Sequence, residues 1–107
     1  MTDPTPLRVV VAGGGIAGVE ALLALHDLAG DRIHATLVSP GPAFRFRPFA
    51  VAEPFGLGHA REIPYAQIAA DTGAEWVDGA VAGVDPAARA VQLADGTRLE
   101  YDALLLA

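Results

Sequence analysis

The chain has 107 residues and a formal net charge of −6, with 52% hydrophobic residues, 19% charged residues and no cysteine. This length allows one small domain with one core. The lack of cysteine excludes disulfide frameworks and thiolate chemistry and is typical of a cytoplasmic protein, and the acidic balance disfavours nucleic acid as a partner, because binding it needs clustered Lys and Arg.

The first half of the chain alternates strand, helix and strand signals. Residues 1–6 hold two prolines and small polar residues and are predicted to be a disordered lead-in. Residues 7–12 are rich in β-branched side chains, as in a parallel strand that is covered on both faces. Apolar residues at helical spacing predict a helix over 15–29, ended by Gly30, and residues 33–39 predict a second strand.

The second half is predicted to be mostly β. After an irregular stretch, the pattern predicts a short helix, a third parallel strand, an antiparallel meander of three strands and a final buried strand. These elements fall at residues 65–72, 75–77, 79–101 and 103–107. Asp95-Gly96 predicts a two-residue hairpin turn of type I′ inside the meander. The fold class is therefore α/β, with a parallel sheet of about four strands and an inserted three-stranded meander.

The motif that carries chemistry is Gly13-x-Gly15-x-x-Gly18, placed between the first strand and the first helix. The first glycine permits the tight turn, the second lets a pyrophosphate approach the backbone, and Gly18 lets the helix pack closely on the strand. The helix N-terminus then offers unpaired N–H groups and the positive end of its dipole to an anion. This context predicts a dinucleotide site.

One element of the dinucleotide fingerprint departs from the usual pattern. An acidic residue normally ends the second strand and binds the adenosine ribose. Here Ser39 stands there, 26 residues after Gly13. A serine can donate to a ribose hydroxyl without charge assistance, or it can be a simple turn residue. Together with Arg45 or Arg47 it could instead suit a ribose 2′-phosphate, which keeps NADP open as an alternative.

No catalytic side chain and no metal site are predicted. Ser39 is the only serine and lies in no Gly-x-Ser-x-Gly sequence. The three histidines, His26, His34 and His59, lack the spacing of metal ligands. This scarcity is expected if a bound cofactor carries the redox chemistry.

Three segments resemble one flavoprotein superfamily. Residues 9–18 match its FAD fingerprint, residues 36–40 with 46–48 match its second strand and the following loop, and residues 95–107 match the hairpin that leads into its Ala-Thr-Gly motif. Over most of its length the chain thus resembles the N-terminal FAD-binding segment of the pyridine nucleotide–disulfide oxidoreductase-like flavoproteins. Within that group it resembles most the type II NADH dehydrogenase and sulfide:quinone oxidoreductase branch.

The resemblance implies a set of residues that contact FAD. These are Gly13, Gly15, Ile16, Ala17, Gly18, Ser39, Pro40, Arg47, Pro48, Val81 and Ala107. The glycine-motif residues would line the pyrophosphate, and Ser39 and Pro40 would lie by the adenosine ribose. Arg47 and Pro48 would approach the flavin side, the Val81 backbone would face the adenine, and Ala107 would begin the segment that closes over the cofactor.

The resemblance also implies a role. Residues 7–107 would be the N-terminal part of a Rossmann-like FAD-binding domain that continues beyond Ala107, so the fragment alone would be inactive, bind FAD weakly and self-associate through exposed apolar surface. The whole enzyme would oxidise NAD(P)H and, lacking paired cysteines after the second strand, reduce a quinone or another non-disulfide acceptor. It would be cytoplasmic, with peripheral membrane attachment as an option.

Two alternatives stay open: an NAD(P)-binding Rossmann domain of a dehydrogenase or reductase, and a non-catalytic nucleotide-binding domain. The meander favours FAD, whereas Ser39 with the arginines favours NADP.

Overall fold

A parallel sheet forms the middle layer of the protein in the computed structural model, which describes residues 5–46 and 61–107. The strands are β1 (Leu7–Ala12), β2 (Ile33–Ser39), β3 (Ala43–Phe46), β4 (Arg61–Pro64), β5 (Glu75–Asp78), β6 (Val81–Asp85), β7 (Ala90–Leu93), β8 (Arg98–Glu100) and β9 (Ala103–Leu106). The helices are α1 (Ile16–Ala29), which a 3₁₀ turn follows, and α2 (Tyr65–Thr72). Among these residues the parallel sheet has the order β5-β2-β1-β9. The predicted α/β class is confirmed.

Both faces of the central strand β1 are covered, which explains its continuous apolar sequence. Val9 and Val11 lie in a core with Leu22 of α1 and Leu37 of β2. Val10 lies in a second core on the opposite face. Because successive side chains of a strand point to opposite faces, the β-branched run has apolar contacts on each side.

The two helices pack on one face of the parallel sheet. Leu22 is only 1% exposed, and Ile68 of α2 is buried in the same core. Burying a leucine or isoleucine side chain fully stabilises the fold by about 1.5–3 kcal/mol. A few large apolar side chains of α1 and α2 therefore hold the helices against this face of the parallel sheet.

The predicted meander covers the other face. Strands β6, β7 and β8 form an antiparallel sheet in that order. Val91, Leu93 and Tyr101, from this sheet and the chain just after it, pack against Val10 and Val38 of the parallel sheet. The result is three layers, with helices, parallel sheet and meander stacked in turn.

The link between the meander and β9 is held by an ion pair to β1. The backbone N–H of Arg8 donates to Asp102 Oδ2 at 2.7 Å, and its Nε donates to the same oxygen at 3.3 Å. A further bond joins Arg8 to Glu100 at 3.2 Å. These donors hold the pKa of Asp102 below its usual range, with the Arg8 backbone N–H as the largest cause.

Three local expectations are wrong. The last strand, β9, is an edge strand whose Leu105 and Leu106 are 42% and 66% exposed, because it pairs only with β1 among the described residues. The turn at Asp95-Gly96 is a three-residue loop rather than type I′: the Leu93 N–H donates to the Thr97 carbonyl, and only Gly96 has a positive φ, of 91°. The stretch predicted to be irregular contains the antiparallel pair β3 and β4.

Parts of other expectations lie outside the described residues. They include residues 1–4 of the predicted lead-in, and the two cofactor residues Arg47 and Pro48. Residues 5 and 6 are exposed and precede β1 without regular structure. In the part of the chain that the structure describes, no helix is long and apolar enough to cross a bilayer.

Candidate functional site

The turn between β1 and α1 lies at the carboxyl edge of the parallel sheet. The Gly13 N–H donates to the Val38 carbonyl at 2.9 Å, which ties the turn to β2. Gly15 is the N-cap of α1, makes no side-chain capping bond, and no acidic residue occupies the first helical turn. Since the first four N–H groups of a helix have no intrahelical partner, this end of α1 offers donors and a positive dipole with no acidic residue in its own first turn.

Two glycines of the motif are required by the fold itself. Gly13 has a φ of 120°, and a side chain there would come within 2.6 Å of the Ala107 carbonyl oxygen. A side chain on Gly18 would overlap the Gly13 carbonyl oxygen, so α1 could not pack this closely on the turn. Both positions thus need glycine whether or not a ligand binds.

Gly15 differs from these two. Among residues 5–46 and 61–107, a Cβ added there would have nothing within 4 Å. Its φ of −75° and ψ of −173° are extended values that any residue adopts. The fold therefore does not require glycine here, and the open space beside Gly15 is available to an approaching group. This fits the expectation that the second glycine of the motif faces a pyrophosphate.

Gly14, to which the sequence assigned no role, is the most crowded glycine of the turn. A side chain there would overlap both Ser39 Oγ and Tyr65 Oη. The Tyr65 hydroxyl donates to the Gly14 carbonyl at 2.8 Å. A third consecutive glycine was the only local signal for this constraint, and nothing near Tyr65 in the sequence pointed to the turn.

A cleft of about 460 Å³ opens beside the turn, between the carboxyl ends of β1 and β2 and the start of the meander. Its walls are Ala12, Gly13, Val38, Pro40, the run from 79 to 84, Leu106 and Ala107. Four residues implied by the resemblance, Gly13, Pro40, Val81 and Ala107, meet here. The volume lies in the range of small-molecule and cofactor sites.

The chemistry of the cleft wall is uniform. None of its residues carries a charged or hydroxyl side chain. Among the described residues, polar recognition in the cleft therefore comes from backbone groups, and the N-terminus of α1 supplies attraction for an anion. This division suits a ligand that has an apolar ring system on one side and a diphosphate on the other.

Ser39 lies beneath the turn rather than in the cleft wall. It is 3% exposed, and its carbonyl accepts bonds from Trp76 Nε1 at 3.1 Å and from the Gly79 N–H at 3.3 Å. A carboxylate does lie at this edge, since Asp78 Oδ1 accepts the Gly41 N–H at 3.1 Å. Asp78 does not match the fingerprint position of the acidic residue, because it lies at the end of a different strand.

The remaining predicted contacts are on the first turn of α1. Ile16 is 53% exposed, and Ala17 is also exposed. Gly18 is buried against the turn. The backbone N–H groups of this first turn lie at the same end of α1 as the open side of Gly15. In residues 5–46 and 61–107 no three His, Asp or Glu side chains converge as metal ligands would.

No family model matches the chain. It is 32% identical over 102 residues to the sulfide-quinone reductase of Aquifex aeolicus (strain VF5), an alignment that covers 94% of this chain. This chain is homologous to sulfide-quinone reductase. The alignment spans about a quarter, 24%, of that protein. The resemblance that the sequence indicated is thereby confirmed over most of this chain.

Solved structures agree with the sequence comparison. The sulfide:quinone oxidoreductase of Aquifex aeolicus matches with a TM-score of 0.82 and 29% identity, over 94% of this chain and 24% of that one. Putidaredoxin reductase, in its covalent complex with putidaredoxin, matches with a TM-score of 0.79 and 25% identity, over 97% and 26%. NDH2 from Plasmodium falciparum in complex with NADH shares the fold, with a TM-score of 0.76 at 16% identity, over 94% and 22%. The predicted Rossmann-like sheet with its meander is thus confirmed.

Proposed function

We propose that this chain binds the adenosine diphosphate half of FAD within a flavin-dependent oxidoreductase that oxidises NAD(P)H and reduces a quinone or another non-disulfide acceptor. One observation carries the proposal. Gly15, at the uncapped N-terminus of α1, is the glycine of the motif that the described fold does not need, and it follows by two positions Gly13, which lines the cleft. The homology to sulfide-quinone reductase supports the redox class.

The residues present fit a dinucleotide. The N–H groups of Gly15, Ile16 and Ala17 would hold the diphosphate, and each favourable charge at a helix N-terminus contributes about 0.3–1 kcal/mol, more when partly buried. Val81 and Pro40 would border the adenosine in the cleft. When bound, FAD supplies the electron transfer, and the chain supplies binding and orientation.

The NAD(P)-binding alternative has less support from the described residues. It relied on Ser39 together with Arg45 or Arg47 as ligands of a 2′-phosphate, and of these the Ser39 side chain is buried and does not line the cleft. The antiparallel meander that forms one wall of the cleft is, by the resemblance, a feature of the FAD-binding domain. The meander favours FAD, whereas the burial of Ser39 bears equally on the ribose contact expected for either cofactor.

Ligand titration of the apoprotein tests the cofactor. We expect FAD to bind more tightly than FMN, which lacks the adenosine diphosphate half, and more tightly than NADH or NADPH. Gly15→Ala places a methyl group in the space of the diphosphate and should weaken FAD binding at least about tenfold, which is about 1.4 kcal/mol. Ala24→Ser adds one atom to the exposed third turn of the same helix and should leave FAD binding unchanged.

Two results would refute the FAD assignment. One is FAD binding by Gly15→Ala that equals that of the wild type. The other is preferential binding of NADPH, which would favour the NAD(P) alternative.

The acceptor and the reductant need a separate assay on the protein that contains this segment. The chain has no cysteine, so this segment supplies no thiol for disulfide reduction. We expect quinone reduction with NADH or NADPH as the donor. Sulfide should be assayed beside NADH and NADPH as an electron donor, because the homologue is named sulfide-quinone reductase. Reduction of a disulfide substrate in preference to a quinone would contradict the proposal.

A further inference from the structure

A tyrosine hydroxyl from a distant part of the chain controls one peptide group of the glycine turn. Tyr65 is the first residue of α2, and its hydroxyl donates to the Gly14 carbonyl at 2.8 Å. The two residues are 51 positions apart. The ring is 6% exposed, so no water competes freely for this hydrogen bond.

The hydrogen bond also sets the direction of the next N–H group. The peptide between Gly14 and Gly15 is trans, since the described residues include no cis peptide bond. In a planar trans peptide the C=O and N–H point in opposite directions. With its carbonyl held toward Tyr65, the peptide must direct the Gly15 N–H away from Tyr65.

The turn needs such a restraint because of its composition. Three consecutive glycines have the largest choice of backbone conformations of any tripeptide, so ordering them costs more entropy than ordering other residues. The Gly13 N–H is held by the Val38 carbonyl, but that bond lies two peptides earlier in the chain. Tyr65 supplies the hydrogen bond at the middle peptide of the turn.

Tyr65 is itself held in place from two sides. Its backbone N–H donates to the Pro42 carbonyl at 2.9 Å. Its ring centroid lies 5.8 Å from that of Trp76, at an interplanar angle of 33°. Trp76 in turn donates from Nε1 to the Ser39 carbonyl at 3.1 Å, which links the aromatic pair to the end of β2. The hydroxyl therefore has a fixed position from which to orient the turn.

We propose that Tyr65 is a positioning residue for the cofactor, whose hydroxyl turns the Gly15 amide toward the diphosphate. The inference rests on the proposed function, because it assumes that a diphosphate binds at this turn. The Tyr65 hydroxyl should therefore affect only the binding of ligands that carry a diphosphate, and the affinity for ligands without phosphate should not depend on it.

Tyr65→Phe tests the inference, because it removes the hydroxyl and keeps the ring. Tyr101→Phe is the matched control: Tyr101 is the other tyrosine, equally buried, and packs on the opposite face of the sheet. We expect Tyr65→Phe to weaken FAD and ADP binding roughly 3- to 10-fold, the effect of one lost hydrogen bond, and to leave adenosine binding unchanged. Tyr101→Phe should change none of the three affinities. Equal losses for ADP and adenosine, or no loss at all, would overturn the inference.

Amide NMR of the ligand-free protein separates this inference from the proposed function. We expect the Gly15 amide signal to shift and its hydrogen exchange to accelerate in Tyr65→Phe and not in Tyr101→Phe. If the wild type binds neither FAD nor ADP, the proposed function fails. The orienting role of the hydroxyl is then supported by a changed Gly15 signal and overturned by an unchanged one.

Discussion

Adjacent glycines of the turn should respond differently when each is replaced by alanine. Gly14→Ala introduces a methyl group where Ser39 Oγ and Tyr65 Oη already lie. Overpacking of this kind costs about 1–3 kcal/mol, and displacement of the Tyr65 hydroxyl loses a hydrogen bond worth about 0.5–1.5 kcal/mol. Alanine offsets about 0.4–1 kcal/mol by restricting the unfolded chain. The net expectation is a loss of about 2 kcal/mol in the free energy of unfolding.

Gly15→Ala should leave stability nearly unchanged. The added methyl has no neighbour within 4 Å in the described part of the chain, and the backbone conformation suits alanine. Alanine is a poorer N-cap than glycine by up to about 1 kcal/mol, and the restriction of the unfolded chain offsets most of this difference. The same substitution is expected to weaken FAD binding, so Gly15 separates binding from stability.

Urea and thermal denaturation of the ligand-free variants measure both effects. For a domain of this size a loss of about 2 kcal/mol lowers Tm by roughly 8–16 °C. An unchanged urea m-value would show that both variants unfold from comparable compact states. If Gly14→Ala and Gly15→Ala were equally stable, or if Gly15→Ala were the less stable, the conclusion that Gly14 is crowded and Gly15 is open would be refuted.

Four further outcomes are expected. Gly18→Ala should destabilise more than Gly14→Ala in urea denaturation, because the atom it overlaps is the backbone oxygen of the preceding turn. Leu22→Ala should lose about 2–5 kcal/mol, as for other buried leucines, and a loss under 1 kcal/mol would contradict the packing of α1. Arg89→Gly should raise Tm, since relief of its φ of 50° is worth up to about 1 kcal/mol. Because the pKa of Asp102 is lowered in the folded state, its contribution to stability is present above the ordinary pKa of 3.8 and is lost as the pH falls through the folded-state pKa. In urea denaturation at a series of acidic pH values, Asp102→Asn should therefore reduce the fall in the free energy of unfolding with decreasing pH.

Most elements of the fold were predictable because their signals are local. The helix predicted from residue 15 begins at Ile16 with Gly15 as its cap, and the strand predicted at 33–39 has those bounds. The apolar run at 7–12 indicated a strand covered on both faces, which β1 is. The predicted meander is present as β6, β7 and β8. Each of these signals is a periodicity or a turn residue within a dozen positions.

The differences from prediction arose where burial or location was inferred from residue type alone, without knowledge of how the strands pair in the sheet. The apolar residues of β9 predicted a buried strand, but among the described residues the strand pairs only with β1 and its Leu105 and Leu106 are exposed. Ser39 ends its strand as predicted, but the parity of β2 places its side chain under the glycine turn rather than in the cleft. The position of a strand in a sheet and the face that a side chain occupies depend on pairing partners, which a local pattern does not specify.

The amino-acid sequence alone determined the strand–turn–helix unit, its three spaced glycines and its likeness to one flavoprotein superfamily. Only the tertiary structure decided which glycine faces open space, which is crowded, and which side chain orients the turn. Periodicity and glycine spacing act over a few residues along the chain, whereas the bond from Tyr65 to Gly14 spans 51 positions. That contact forms because parallel β1 and β2 bring their carboxyl ends to one edge, where the turn after β1 meets the chain that follows β2.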